Sequence, residues 1–216
     1  MEMFLTLLSG VGWSFVYIEC ICLGIKQKTY AMPFFALALN FAWEFIYTVS
    51  DIFLEAHGPL EGMAWAQVIV NMIWVCLDAV ILYTYFRYGK KEWPQNVNIR
   101  LFYPWSFLGI VCAFVLQIAF VYEFGFVRAA QYSAFLQNLL MSVLFIDLYM
   151  KRQSMKGQSI TLAVAKWIGT LAPTILMGVI TYNVIVLVCG TFCCIFDVIY
   201  IVLLINEKQR QLSRPE

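Results

Sequence analysis

Charge is what this chain has least of. Only 12% of its 216 residues are charged and 62% are hydrophobic, whereas a soluble domain is about 25% charged and 45–50% apolar. A soluble globular fold is excluded, and the whole length reads as one membrane domain, residues 1–216. Histidine is almost absent: the lone His57 lies in a loop between apolar runs, and neither an HExxH zinc site nor a Ser/His/Asp set can be assembled. The sequence has no DDxxD run, no second acidic motif of the kind that holds Mg²⁺ against a diphosphate, no DxDD and no Gly-rich phosphate loop. Metal-assisted ionisation of a diphosphate is therefore unsupported, and no cofactor is expected. Lys and Arg are not pooled in one patch and the net charge is +1, so nucleic acid is not an expected partner. Met1-Glu2-Met3 lacks a basic n-region and a cleavage site, so the first apolar run is expected to be a retained span. Seven cysteines all fall in apolar runs with no histidine nearby. They read as small buried hydrophobes, and their odd number argues against a disulfide framework. No internal repeat is visible, which weakens transporter folds built from duplicated bundles.

What the chain does have is long apolar runs. Runs of about 20 residues mark helical spans, and seven are read at 3–25, 31–53, 63–85, 101–122, 129–150, 160–181 and 184–205. The break between the last two rests on Tyr182-Asn183. The expected fold is an all-α integral-membrane bundle of seven transmembrane helices. Of 14 Lys and Arg, twelve follow spans one, three, five and seven, Arg128 stands alone on the opposite side, and Lys166 lies within span six. The positive-inside rule then places the N-terminus on the non-cytosolic side and the C-terminus in the cytosol. The loop 51–62, with Asp51, Glu55, His57 and Glu61, is non-cytosolic in this scheme.

The informative residues are the few ionisable ones inside these runs. Glu44 interrupts the apolar segment 33–49, where the Tyr47 phenol is the only other ionisable side chain. It lies roughly 16 Å along the helix from Pro33, and Asp78 and Asp197 are comparably deep in spans three and seven. A carboxylate at mid-bilayer costs at least about 2.5–3.5 kcal/mol, and burial disfavours its charged form. These three acids are expected to be neutral unless a cation is close. Glu19 and Asp147 sit nearer the ends of spans one and five, where they can meet water, Lys or Arg, and Glu123 is expected to be solvated or paired with Arg128. Lys166, the one basic group inside a span, can snorkel, pair with Glu19 or Asp147, or meet an acidic ligand headgroup.

Helical spacing groups the acids with aromatics. Asn40, Glu44 and Tyr47 share a face of span two, and Asn71, Trp74, Asp78 and Tyr85 one of span three. Cys193, Asp197 and Tyr200 do so in span seven, and Trp13 and Tyr17 in span one. Gln117 and Asn138 add neutral hydrogen-bonding groups in spans four and five. Carboxylic acids among aromatic faces suit the protonation of an alkene or epoxide, with the resulting cation sheltered by ring faces that offer no nucleophile. The plain alternative is that the acids only clasp helices together by hydrogen bonds. A proton-coupled seven-helix carrier also remains open. A retinal protein does not, because span seven has no lysine, and a PQ-loop transporter fails because Pro94-Gln95 lies in a loop.

The segment Gly12-Trp13…Tyr17…Lys26-Gln27-Lys28-Thr29-Tyr30-Ala31-Met32-Pro33…Asn40-Phe41-Ala42-Trp43-Glu44-Phe45-Ile46-Tyr47 closely resembles the integral-membrane terpene cyclases of fungal meroterpenoid and indole-diterpenoid pathways and related bacterial indole-terpenoid pathways. Asp197 followed by Tyr200 in the last span extends the match. The resemblance implies a metal-independent cyclase acting on a prenylated aromatic or indole small molecule in contact with membrane lipid. It implies Glu44 and Asp197 as the essential acids, one of which protonates the prenyl chain, and a product isomeric with the substrate. Asp78, Asn40, Trp43, Tyr47, Trp13, Tyr17, Trp74, Tyr200, Gln117 and Asn138 are expected to line the substrate site. The expected location is a bacterial inner membrane or the endoplasmic reticulum membrane.

Overall fold

The computed structural model describes residues 1–54 and 63–213, and these are all helix, turn and connecting loop. Glu55, His57 and Glu61, in the expected non-cytosolic loop, and Arg214, in the basic tail, lie outside the described residues. Six helices follow in order: α1 (Glu2–Gln27), α2 (Phe34–Leu54), α3 (Met63–Tyr88), α4 (Phe102–Arg152), α5 (Ile160–Pro173) and α6 (Val184–Leu212). Two short 3-10 turns, Gly89–Glu92 and Ile99–Leu101, connect α3 to α4. Among the described residues, five helical stretches are long and apolar enough to cross a membrane. Helix α2 is not one of them.

Local chemistry sets the helix ends. Ser159 caps α5 by accepting the Leu162 N–H at 3.0 Å, and Asn183 caps α6 by accepting the N–H groups of Ile185 and Val186. Both are preferred N-cap residues. Pro173 cannot donate to the turn before it, and from Thr174 the helix widens into π-helical turns that run to Ile180. Tyr182, with φ 52°, then breaks the chain before α6.

Helix α4 is 51 residues long, and as one rod it would measure about 76 Å, far more than a hydrocarbon core of about 30 Å. It is not one rod. Gly125, at φ 72° and ψ 162°, is non-helical, and the arms 102–124 and 126–152 lie side by side. Gln117 Nε2 donates to Gln137 Oε1 at 2.7 Å, and the Phe124 and Tyr132 rings meet edge to face with centroids 5.4 Å apart. Twenty residues of continuous helix would hold the two glutamines about 30 Å apart.

The helices close into a ring in which α1 touches α3, α3 touches α2, α2 touches α4, α4 touches α6, α6 touches α5 and α5 returns to α1. The α1–α5 contact is close because two glycines meet there: a Cβ on Gly12 would stand 2.9 Å from the Gly169 Cα, the small-residue packing expected between membrane helices. The ring is apolar outside and polar within. Phe4, Leu7, Val11, Phe15 and Ile18 of α1 are exposed, as are Val188, Phe192, Ile195 and Val202 of α6, while Asn40, Glu44, Asp78, Gln117, Lys166 and Asp197 are buried.

One end of the ring is tied by ions. Arg152 reaches Glu92 Oε2 at 2.6 Å, donates to the Tyr30 carbonyl at 2.9 Å and to Thr29 Oγ1 at 3.1 Å, and stacks over the Tyr30 ring at 4.4 Å. Thr29 also donates to Glu92. The Lys-Thr-Tyr turn between α1 and α2 is thus held by Arg152 at the end of α4 and Glu92 in the connection before it.

The Gly125 conformation lies where side chains with a Cβ are strained, at about 1–3 kcal/mol, although nothing crowds the position. Gly125→Ala is expected to lower the thermal midpoint of the detergent-solubilised protein. Gly10→Ala, in open helical space, should leave the midpoint unchanged or raise it.

Candidate active site

Each of the six helices sends a polar group into the ring, and these groups form two clusters. The first joins α1, α2 and α3. On α2, Asn40 and Glu44 are one turn apart and face inward. Asn40 Nδ2 lies 3.0 Å from Glu44 Oε1, 2.9 Å from Asp78 Oδ2 on α3 and 2.6 Å from the Tyr17 hydroxyl on α1. Tyr17 in turn donates to Glu44 Oε1. The Asn40 amide is oriented from the other side, because its Oδ1 accepts from Gln137 Nε2 at 3.2 Å and Gln137 is held by Gln117. With its carbonyl so engaged, the amide has only N–H groups to offer the acids.

Glu44 is 2% exposed and Asp78 0%. Their hydrogen-bonding partners, Tyr17 and Asn40, are neutral. Each acid keeps one oxygen, Glu44 Oε2 and Asp78 Oδ1, with no hydrogen-bond partner among the described residues. Thr48, one turn beyond Glu44, likewise has a buried and unpartnered hydroxyl. Aromatic rings adjoin this cluster. Tyr17 stacks on Trp74 with centroids 5.8 Å apart and lies 6.4 Å from Trp13, and Trp74 donates to Ser14 at 3.1 Å. Two of the expected aromatics, Trp13 and Trp74, therefore gather on Tyr17, which itself contacts Glu44.

The second cluster joins α4, α5 and α6, and here Asp197, expected to be neutral unless a cation is close, has a cation beside it. Lys166 Nζ lies 2.8 and 3.0 Å from its two oxygens and donates to Ser142 Oγ at 2.7 Å. Lys166 neither snorkels nor pairs with Glu19 or Asp147. It is fully buried against an acid on the neighbouring helix. Glu19 instead accepts from Ser159 at 2.9 Å, and Asp147 pairs with Lys151 one turn away at 2.6 Å. Ser142 donates to the Asn138 carbonyl, and Asn138 donates to Thr170 at 2.8 Å. The arm 126–152 serves both clusters, with Gln137 reaching the first and Asn138 and Ser142 the second.

Other expected site residues go elsewhere. Tyr200 shares the Asp197 helix face, yet its hydroxyl donates to Gln158 in the loop before α5 at 2.8 Å. Trp43 donates to the Ala130 carbonyl at 3.0 Å and packs on Tyr47 at 4.9 Å. Tyr85, expected to share the Asp78 face, meets Ser106 and stacks on Phe34 at 4.4 Å. Glu123 and Arg128 are both exposed. Sequence reasoning missed Gln137 and Ser142. A Gln-Asn pair in the middle of an apolar span was the available signal for Gln137, and for Ser142 its place one turn after Asn138. A cleft of about 570 Å³ lined by Asn206, Gln209, Arg210 and Ser213 contains none of the interior acids.

Comparison with known proteins identifies the family. A family model described as Pyr4-like transmembrane terpene cyclases matches residues 1–210. The chain belongs to the Pyr4-like transmembrane terpene cyclases. Within that family it is 30% identical over 165 residues to terpene cyclase pyr4 of Aspergillus fumigatus, an alignment covering 76% of this chain and 65% of that one. It is 30% identical over 166 residues to terpene cyclase cdmG of Talaromyces verruculosus, again 76% and 65%, and 27% identical over 166 residues to terpene cyclase paxB of Penicillium paxilli, 74% and 63%. The chain thus spans slightly under two thirds of these curated relatives' length. No solved structure matches. Membership in the Pyr4-like family accords with the resemblance carried by the Lys28–Pro33 turn and the Asn40–Tyr47 block.

Breaking a buried ion pair from one side leaves an uncompensated charge and costs about 3–5 kcal/mol, whereas replacing both partners with apolar groups is far milder. Lys166→Met and Asp197→Leu alone should each markedly lower the thermal midpoint, and the double variant should recover most of the loss. Equal loss in the double variant would show that the pair is not one unit.

Proposed function

We propose that this membrane protein is a proton-initiated terpene cyclase in which Glu44 is the general acid. The carrying observation is its unpartnered Oε2, buried in the ring beside aromatic faces, with Oε1 held by Tyr17 and Asn40. A carboxylic acid so held directs its free O–H at whatever enters the interior. The substrate class is a prenyl chain on an aromatic or indole group, in keeping with the family resemblance.

In the proposed step the Glu44 O–H bond breaks and its proton goes to the terminal alkene carbon or the epoxide oxygen. A tertiary carbocation forms at the neighbouring carbon, and Glu44 is left as a carboxylate. Successive alkenes attack the cation and new C–C bonds close the rings. The last cation loses a proton from an adjacent carbon, and a proton returns to Glu44. Substrate and product are isomers, and no metal ion is needed to ionise a leaving group. The faces of Tyr17, Trp74 and Trp13 would stabilise the moving charge by cation–π attraction, at about 0.5–2 kcal/mol each.

Asp197 takes a different part in this reading. Both its oxygens are engaged by Lys166, which makes it a poor first donor and suits it to hold a fixed charge opposite the acid cluster. We also propose that the two arms of α4 cross the membrane separately, giving seven crossings. The lysine and arginine distribution then sets the N-terminus on the non-cytosolic side. Reversal at Gly125 and the Gln117–Gln137 hydrogen bond support this count.

Purified protein with a chelator present should convert a farnesylated aromatic or indole substrate, or its terminal epoxide, into a product of equal mass. Removing a general acid typically costs about 10²–10⁴-fold in rate, so Glu44→Gln should fall by at least that lower figure while eluting as the folded protein. Full turnover in Glu44→Gln would remove Glu44 from the role.

A further inference from the structure

The cyclase reading uses one acid of the first cluster and leaves the second, Asp78, without work. We infer that Glu44 and Asp78 act as one carboxyl pair that holds a single proton between them, with Asp78 as the positioning residue that keeps Glu44 protonated. The inference rests on the proposed role of Glu44 for its consequence but not for its geometry. Both carboxyls bond to the same nitrogen, Asn40 Nδ2, at 3.0 and 2.9 Å. An amide nitrogen carries two hydrogens, yet here it faces Glu44, Asp78 and the Tyr17 hydroxyl. Two ionised groups at this spot would meet too few donors and no cation.

Among the described residues, the groups that meet the pair come from four helices. From α1 come Tyr17 and, three residues on, the buried Cys20. From α4 the pair's shared amide meets Gln137, which is neutral. Glu44 and Asp78 themselves come from α2 and α3. Lysine is spent elsewhere, since Lys166 is bound by Asp197 and Ser142. Two acids sharing one buried neutral site cannot both ionise easily, and the second proton is held far more firmly than the first is lost. The unpartnered Glu44 Oε2 and Asp78 Oδ1 are the two places where that proton can sit as a free O–H.

This arrangement gives Asp78 a function distinct from clasping helices. Once Asp78 is ionised, its charge opposes ionisation of Glu44 and holds the donor loaded at neutral pH. The pair also contrasts with Asp197, both of whose oxygens are engaged by Lys166.

Infrared spectroscopy of the resting protein in detergent tests this without turnover. Wild type should show protonated-carboxyl C=O absorption at neutral pH that shifts in D₂O. The absorption should persist unchanged in Asp197→Asn and vanish in the double variant Glu44→Gln/Asp78→Asn. In Asp78→Asn the remaining band should titrate away at a pH lower by about one unit or more, and the upper pH limit of turnover should fall with it. Asp78→Glu should restore both. An unchanged midpoint in Asp78→Asn would overturn the inference. Should that variant not fold, absence of any protonated-carboxyl band in wild type at neutral pH would overturn it equally. Loss of activity in Glu44→Gln with an unchanged Asp78→Asn midpoint would leave the cyclase reading standing and remove the pair. A shifted midpoint with full activity in Glu44→Gln would do the reverse.

Discussion

A single amide nitrogen on α2 decides how three helices meet. Asn40 Nδ2 reaches Tyr17 on α1, Glu44 on its own helix and Asp78 on α3 within 3.0 Å. In lipid such contacts are what hold a bundle together, because apolar surfaces gain little by leaving hydrocarbon for one another. The amide can do this only because Gln137 occupies its carbonyl, and Gln137 is in place only because α4 folds back at Gly125. A glycine conformation in the longest helix is therefore coupled, through two glutamines, to the orientation of the acids at the centre.

The same interior handles its charges in two ways. On the α5–α6 side a cation is supplied, and Asp197 is neutralised by Lys166 with Ser142 completing the shell. On the α2–α3 side the acids meet only neutral donors. A buried acid without a cation stays neutral most cheaply by keeping its proton. A proton donor and a fixed charge can thus coexist in one ring of helices, built from the same residue type in two surroundings. Chemistry that begins with proton transfer and continues through a carbocation needs both a loaded acid and walls that do not react. In the proposed reaction such walls would come from Tyr17, which donates to Glu44, with Trp74 stacked on it and Trp13 tilted against it.

Much of this was legible in the sequence because cost in lipid singles residues out. Glu44, Asp78, Asp197 and Lys166 are conspicuous as isolated ionisable groups in apolar runs, and all four are buried. Trp13 and Tyr17 were readable as one helical face, and the break at Tyr182-Asn183 as the start of α6. Pairing was not legible. Which acid receives Lys166 depends on how α5 packs on α6, and spacing along one helix says nothing about its neighbour's rotation. Tyr200 shows the same limit: it shares a face with Asp197 but is one turn nearer the helix end, where Gln158 takes its hydroxyl. The role of Arg152 and Glu92 in fixing the Thr29–Tyr30 turn was hidden too, because they are distant in sequence and read as loop charges.

The central claim is that Glu44 delivers the first proton to the prenyl chain. The most direct test is infrared difference spectroscopy through a single turnover of purified protein mixed with substrate. The account predicts a transient loss of carboxylic-acid C=O absorption as the rings close, followed by its recovery. That signal should be absent in Glu44→Gln and retained, at whatever rate remains, in Asp197→Asn. A transient that survives in Glu44→Gln, or one that disappears in Asp197→Asn alone, would contradict it.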